Sequence, residues 1–166
     1  MKELRILTDE WVKKIFGDPA PFLNAEGRPG AKWEREILQF ISLPAPLPLA
    51  WDRSILVKKI RCHKRIALWL KTALDQIYLV PSLWDTINDF AGCYEWRLSR
   101  KSRKLARHSW AIAIDLDACD NPFGRKPRVA PEIVDIFTKC GFVWGGTFPP
   151  QRIDGMHFEF ADVERL

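Results

Sequence analysis

The segment from Ala111 to Asp117 alternates strictly between two kinds of side chain. Its even positions are Ile112, Ile114 and Leu116, and its odd positions hold only alanine and aspartate. Because successive side chains of a strand point to opposite faces, this period of two predicts a strand with one apolar face and one small, acidic face. The apolar face must be covered by another layer, so the chain needs a sheet with helices packed on it.

Helical patterns dominate the first half of the chain. Thr8 precedes a short apolar segment that stops at Gly17, which is typical of a capped helix. Residues 55–79 carry apolar side chains near helical spacing and predict the longest helix, which Pro81 ends. A shorter helix is predicted directly after Pro131.

Strand patterns are concentrated later. Residues 142–144 and 156–160 read as strands, and the three prolines within 43–49 require an extended backbone. Residues 33–41 fit either a helix or a strand. Helices that come first and strands that come late favour an α+β fold with an antiparallel sheet flanked by helices.

The size of the chain fits one domain. It has 166 residues, of which 47% are hydrophobic, and it contains no internal repeat or long linker. We predict a single domain over 1–166, with a motif-bearing core at 90–162 and the elements of 1–89 packed on it. No segment has the roughly 20 apolar residues that span a bilayer, and the first ten residues lack the apolar region of a signal peptide. Synthesis in the cytoplasm is therefore expected.

Charge and cysteines narrow the possible partners only in part. The formal net charge of +5 suits an anionic partner, and six of the eleven residues of 97–107 are basic. That basic run is either a solvated loop or a contact with an anionic polymer, and no nucleic-acid-binding signature accompanies it. The four cysteines never form a Cys-x-x-Cys pair, so reduced, mostly buried thiols are expected, with a disulfide left open.

Three residues have the chemistry of a catalytic zinc site. His108, Asp115 and His157 would supply two imidazoles and one carboxylate, and water would occupy the fourth position. An extended chain from 108 to 115 would span roughly 23 Å. Shared coordination therefore requires the chain to double back near His108. Asp154, three residues before His157, is placed to move a proton, and Arg97 to bind an oxyanion or a carboxylate.

In order and spacing, four runs of this sequence resemble the zinc D-Ala-D-Ala carboxypeptidase and L-alanyl-D-glutamate endopeptidase family. The runs are 94–97, 107–115, 141–146 and 154–159, and they look most like the bacteriophage and prophage members, which include endolysins. The family pattern is Ser-x-His-x-x-Gly-x-Ala-x-Asp, a Trp-Gly-Gly segment and then Asp or Glu-x-x-His. The resemblance implies the hedgehog-like fold of these peptidases and a Zn²⁺ cofactor.

The resemblance also implies roles for individual residues. His108, Asp115 and His157 would be the zinc ligands. Asp154 would be the general base, and Arg97 would polarise the scissile carbonyl. Glu159 would not bind the metal but would orient one of the histidine ligands. For Tyr94 and Trp144 the choice is between core packing and substrate binding. The chain departs from the pattern at Ala106, where the family has Ser, and at Ala111, where it has Gly, and a positive φ at Ala111 would cost roughly 1 kcal/mol.

The expected function is hydrolysis of a peptide bond in the stem peptide of peptidoglycan. The bond could be L-Ala-D-Glu or D-Ala-D-Ala, and the phage-like resemblance favours the endopeptidase. A monomeric phage or prophage lysis enzyme that reaches the cell wall through holin pores fits this interpretation. The alternative is a catalytically inactive, metal-binding module that binds the wall or serves as a phage structural part.

Overall fold

The computed structural model describes residues 4–99 and 104–166. Its helices and strands follow one another in the order α1 (Asp9–Phe16), α2 (Ala31–Ile37), β1 (Leu38–Leu49), β2 (Asp52–His63), α3 (Ala67–Tyr78), α4 (Pro81–Trp84), β3 (Phe90–Gly92), β4 (Ala113–Leu116), α5 (Pro131–Lys139), β5 (Phe142–Trp144) and β6 (His157–Phe160). Short 3-10 turns lie between them, among them Arg107–Trp110, Gly145–Thr147 and Pro150–Arg152.

One six-stranded sheet organises the described residues. Its strand order is β2-β1-β3-β4-β6-β5, and neighbours run antiparallel except for β1 and β3, which are parallel. The prediction of an α+β fold is confirmed, with a mixed rather than a purely antiparallel sheet.

Several predicted elements are found within a residue or two of the expected bounds. Thr8 caps α1 by accepting a hydrogen bond from the backbone of Trp11, and Gly17 follows the helix with a φ of 99°. The helix after Pro131 is α5, and the two late strands are β5 and β6. In the ambiguous region 33–41 the helix α2 ends at Ile37, and β1 begins with the next residue.

The long helix predicted over 55–79 is wrong in its first half. Residues 52–63 form β2, an edge strand that pairs antiparallel with β1, and only Ala67–Tyr78 is helical. The apolar spacing of 55–60 is too short to distinguish the two structures. Pairing with β1 makes residues 52–63 a strand, because the prolines of β1 hold that chain extended. The pairing is interrupted between Ser42 and Leu47, where proline has no N–H to donate to the neighbouring strand.

A helix over 55–79 would include His63, and the sequence favours an exposed position for it there. The structure shows that this expectation is wrong. His63 is the last residue of β2 and is only 2% exposed. One ring nitrogen, Nε2, lies 3.2 Å from the carbonyl oxygen of Phe16, and Nδ1 accepts a hydrogen bond from the backbone N–H of Arg65. Burial lowers the pKa of His63 to about 4.

A continuous core lies on one side of the sheet. The apolar face predicted for β4 is buried there, together with side chains of α1, α3, α5 and β6. Representative members are Val12, Leu70, Ile114, Phe137 and Phe158. The elements of 1–89 therefore share one core with the later strands. The four cysteines are free thiols, and Cys119 is the exposed one. Within the described ranges, every helix is too short or too polar to cross a bilayer.

Candidate metal centre

The middle of the sheet places a carboxylate beside an imidazole. β4 and β6 pair so that Asp115 is opposite His157 and Ala113 is opposite Glu159. Directly opposite residues of two strands share a face, and this face is the one away from the apolar core. The small side chain of Ala113 leaves space beside the two acidic groups. The alternation recognised in the sequence therefore produces one polar wall.

His108 reaches that wall because the chain reverses direction. It lies in the 3-10 turn Arg107–Trp110, and the next residue, Ala111, has φ 53° and ψ 35°, the left-handed conformation. This backbone directs the chain from the turn into β4. The chain thus doubles back near His108, as binding of one metal by His108 and Asp115 requires. The reversal occurs at Ala111, where the family pattern has Gly.

The three predicted metal ligands converge. One ligand atom from each of His108, Asp115 and His157 lies within 4.8 Å of the others, and all three residues are buried. Nε2 of His108 lies 3.3 Å from Nδ1 of His157 and 3.2 Å from Oδ2 of Asp115, whereas Oδ1 of Asp115 is 2.9 Å from Nδ1 of His157.

The hydrogen bonds on the far side of each ring fix which nitrogens face the centre. Nδ1 of His108 lies 3.0 Å from the carbonyl oxygen of Cys93, which can only accept, so this nitrogen carries a proton. Nε2 of His157 lies 3.0 Å from Oε2 of Glu159, which also accepts. In the neutral rings, the two remaining nitrogens present lone pairs to each other and to the carboxylate of Asp115.

Converging lone pairs in a buried site are unfavourable unless a proton or a metal ion lies between them. Burial disfavours a charged His157, but its hydrogen bonds to Asp115 and Glu159 outweigh burial and raise its pKa to about 10. Likewise the pKa of Asp115 is held well below its usual range, because the charges and hydrogen bonds of both histidines outweigh its burial. A proton can be shared by only some of these lone pairs, whereas a divalent metal would accept lone pairs from both ring nitrogens and from the carboxylate oxygen. The donor set fits zinc.

Glu159 and Arg107 extend the cluster away from the centre. Glu159 is 5% exposed, and its other oxygen lies 3.7 Å from Nε of Arg107. Arg107 also donates to the carboxylate of Asp9, at 2.9 Å, and to the carbonyl of Leu7. Arg107 thus connects the N-terminal segment to the metal cluster. Sequence reasoning gave Arg107 no role of its own. It was one residue of the family-like run 107–115 and of the basic run 97–107, of which residues 100–103 lie outside the described part. Its position directly before His108 was the available signal.

Asp154 approaches the cluster from the loop before β6. Its Oδ1 is buried with no hydrogen-bond partner among the described residues, and burial raises the pKa of its carboxyl to about 6. The backbone N–H of Asp154 donates to the carbonyl of Gly145. A Cβ at Gly145 would lie 2.4 Å from the carbonyl oxygen of Asp154 and 3.2 Å from Cβ of His157, so only glycine fits this crossing.

A cavity of about 580 Å³ opens above the cluster. Its wall includes the three candidate ligands, Asp154 and Glu159, and the cations Arg97, Lys104, Arg107 and Arg152. Nε of Arg97 is 2.6 Å from a carboxylate oxygen of Glu95. The expected proton-transfer and carbonyl-binding residues therefore face the same space as the candidate metal ligands.

Tyr94 and Trp144 do not line this cavity. The ring of Tyr94 packs under the guanidinium of Arg61, at 5.0 Å, beside the β1–β2 hairpin. Trp144 stacks on Phe158 on the core side, and its indole N–H donates to the carbonyl of Gly155, at 2.8 Å. Trp144 is therefore packed on the core side and hydrogen-bonded to the loop that carries Asp154, and substrate binding by Tyr94 and Trp144 stays a prediction.

The α+β fold thus carries a buried cluster of two histidines and an aspartate that could hold a metal ion, with an open cavity above it. Residues 99–160 match a protein-family model described as D-alanyl-D-alanine carboxypeptidase. The match covers a little over a third of the chain and includes all three candidate ligands and Asp154. It supports a peptidase. Neither the search of curated proteins nor that of solved structures finds a match.

Proposed function

We propose that this protein is a zinc metallopeptidase that hydrolyses a peptide bond of the peptidoglycan stem. The observation that carries the proposal is the convergence of three lone-pair-bearing atoms from His108, Asp115 and His157 at the floor of an open cavity. The family match supports the reaction class and the substrate class. When bound, zinc would polarise the scissile carbonyl and lower the pKa of a coordinated water towards about 7.

The protein supplies the proton transfer through Asp154. Its carboxylate oxygen has no partner within the described ranges, so it is free to accept the proton of the attacking water. A carboxyl whose pKa is raised to about 6 releases that proton more readily near neutral pH than an amine does, so it can pass it to the leaving nitrogen.

Arg97 would stabilise the negative charge that develops on the carbonyl oxygen. Its guanidinium lies in the cavity wall and is held on one edge by Glu95, so the other edge remains available to substrate. Glu159 would keep the ring of His157 in the tautomer that directs Nδ1 to the metal.

The bond cleaved is proposed more narrowly from the sequence resemblance. An L-alanyl-D-glutamate endopeptidase of phage or prophage origin is our first choice, and a D-Ala-D-Ala carboxypeptidase is the second. Purified sacculi treated with the zinc-loaded protein distinguish them by mass spectrometry. Cleavage between L-Ala and D-Glu leaves L-Ala on the glycan and releases the stem from D-Glu onward, whereas a carboxypeptidase releases only free D-Ala.

The central test compares Asp154→Asn with Asp85→Asn, an exposed carboxylate that does not line the cavity. We expect Asp154→Asn to retain stoichiometric zinc and to lose at least about 100-fold in rate, the usual scale for a general base. Asp85→Asn should digest sacculi like the wild type. A wild-type protein that binds zinc and pellets with sacculi but releases no peptide would instead be the inactive wall-binding module, and the proposed function would be wrong.

A further inference from the structure

The four positively charged side chains of the cavity wall differ in whether an acidic side chain pairs with them. Arg97 contacts Glu95, Lys104 lies 3.1 Å from Asp9, and Arg107 is bound by Asp9. Arg152 has no carboxylate within ion-pair distance among the described residues, and its guanidinium lies over the ring of Phe148, at 5.8 Å. The cavity therefore contains one guanidinium whose charge is not neutralised by any acidic side chain of residues 4–99 and 104–166.

The position of Arg152 relative to the metal cluster follows from Phe148. The Phe148 ring lies 6.2 Å from the ring of His157 and 5.8 Å from the guanidinium carbon of Arg152. Both groups therefore lie against one aromatic ring, at most about 12 Å apart. Arg152 ends the turn Pro150–Arg152, two residues before Asp154, so the same loop carries the cation and the candidate base.

The two bonds considered above have a common feature on the leaving side. In D-Ala-D-Ala, the carbon attached to the scissile nitrogen carries the terminal carboxylate. In L-Ala-D-Glu, where the stem continues through the side chain of D-Glu, the carbon attached to the scissile nitrogen carries a free α-carboxylate. Either substrate thus places one carboxylate on the carbon that is bonded to the leaving nitrogen.

We propose that Arg152 binds this α-carboxylate and so selects substrates that carry it next to the scissile bond. The inference rests on the proposed function, since it identifies the substrate group that the same cavity recognises. Guanidinium and carboxylate match in a planar, two-point hydrogen bond, and Phe148 limits the directions that the side chain can take. The pairing also balances charge, because the other cations of the cavity already have acidic partners.

The inference is tested by binding, independently of turnover. Two uncleavable stem-peptide analogues, with a ketomethylene group in place of the scissile amide, differ only in a free or an amidated carboxylate on the leaving side. Their dissociation constants are measured by titration calorimetry with the zinc-loaded wild type, Arg152→Gln, Arg152→Lys and Arg125→Gln. Arg125 is an exposed arginine outside the cavity and controls for net charge.

We expect the wild type to bind the free carboxylate about 10- to 100-fold more tightly than the amide, as for a charge-assisted hydrogen bond. Arg152→Gln should bind the two analogues equally, Arg152→Lys should recover part of the preference, and Arg125→Gln should retain all of it. The same preference should appear in KM rather than kcat for cleavable peptides.

The outcomes separate this inference from the proposed function. Equal affinity of the wild type for the two analogues, or a preference that survives in Arg152→Gln, overturns the role of Arg152 even if the enzyme cleaves sacculi. A preference that depends on Arg152 in a protein that cleaves nothing would support the carboxylate site and reject the peptidase.

Discussion

Replacing Ala111 by glycine tests whether this chain stores strain beside its candidate metal ligand. Ala111 has φ 53° and is fully buried. The left-handed conformation costs an L-residue roughly 1–2 kcal/mol, which Ala111→Gly would recover. Against this, glycine adds roughly 0.5–1 kcal/mol of unfolded-state entropy, and the lost buried methyl costs about 0.8 kcal/mol. The opposing terms nearly cancel, so stability should change by less than about 1 kcal/mol.

Ala73 provides the matched control. It is also fully buried, but it lies inside α3, where no strain can be recovered. Glycine there should cost about 1 kcal/mol in helix propensity and about 0.8 kcal/mol for the methyl, close to 2 kcal/mol in all. For a chain of this size, that corresponds to a fall in Tm of about 4–8 °C.

Urea unfolding and thermal melts followed by circular dichroism give both values. They should be recorded in excess EDTA, so that differences in metal affinity do not contribute to stability. We expect Ala111→Gly to melt within about 3 °C of the wild type and Ala73→Gly to melt clearly lower. If the two variants lose the same stability, Ala111 holds no recoverable strain and the reasoning is refuted.

Three further predictions address the site and its support. Glu159→Gln should weaken zinc binding about 10- to 100-fold in competition with a chromogenic chelator, and an unchanged affinity would remove Glu159 from the orientation of the ring. Gly145→Ala should destabilise by roughly 1–3 kcal/mol and weaken zinc binding, because its Cβ meets a backbone oxygen at 2.4 Å. Gly30→Ala, whose nearest contact is 3.8 Å, should cost at most about 1 kcal/mol, from its position as the N-cap of α2, and should leave zinc binding unchanged. His63 has its pKa lowered by burial to about 4 from 6.5, so its contribution to stability is complete above pH 6.5 and is lost as pH falls towards 4. That loss is roughly 3 kcal/mol, and urea unfolding of His63→Gln should show a correspondingly flatter pH dependence, whereas an unchanged slope would contradict the assignment.

Local sequence patterns were sufficient to predict the elements that lie closest to the candidate site. The alternation of 111–117 predicted both faces of β4, because a strand with one buried face must repeat every two residues. Residue type and spacing, together with the family resemblance, singled out the three candidate ligands and the carboxylate before the last of them, and the structure brings the three ligands together. If His108 and Asp115 bind the same metal, the chain must double back near His108. The left-handed conformation of Ala111 produces this reversal.

Other features depend on partners that are distant in the sequence. Whether 52–63 is a helix or a strand was decided by pairing with β1, and this pairing buried His63. The side chain of Tyr94 could have faced the cavity or the hairpin, and packing against Arg61 put it on the hairpin side.

The sequence by itself determined which side chains could hold a metal and which strand would present them, since chemistry and strand periodicity are local properties. Only the tertiary structure decided which charges are neutralised. The sequence does not show which of Arg97, Arg107 and Arg152 has an acidic partner. In the structure Glu95 and Asp9 lie against the first two, and no described carboxylate pairs with the third. Ion pairing depends on distances of a few ångströms between separate segments, and those distances exist only once the chain has folded.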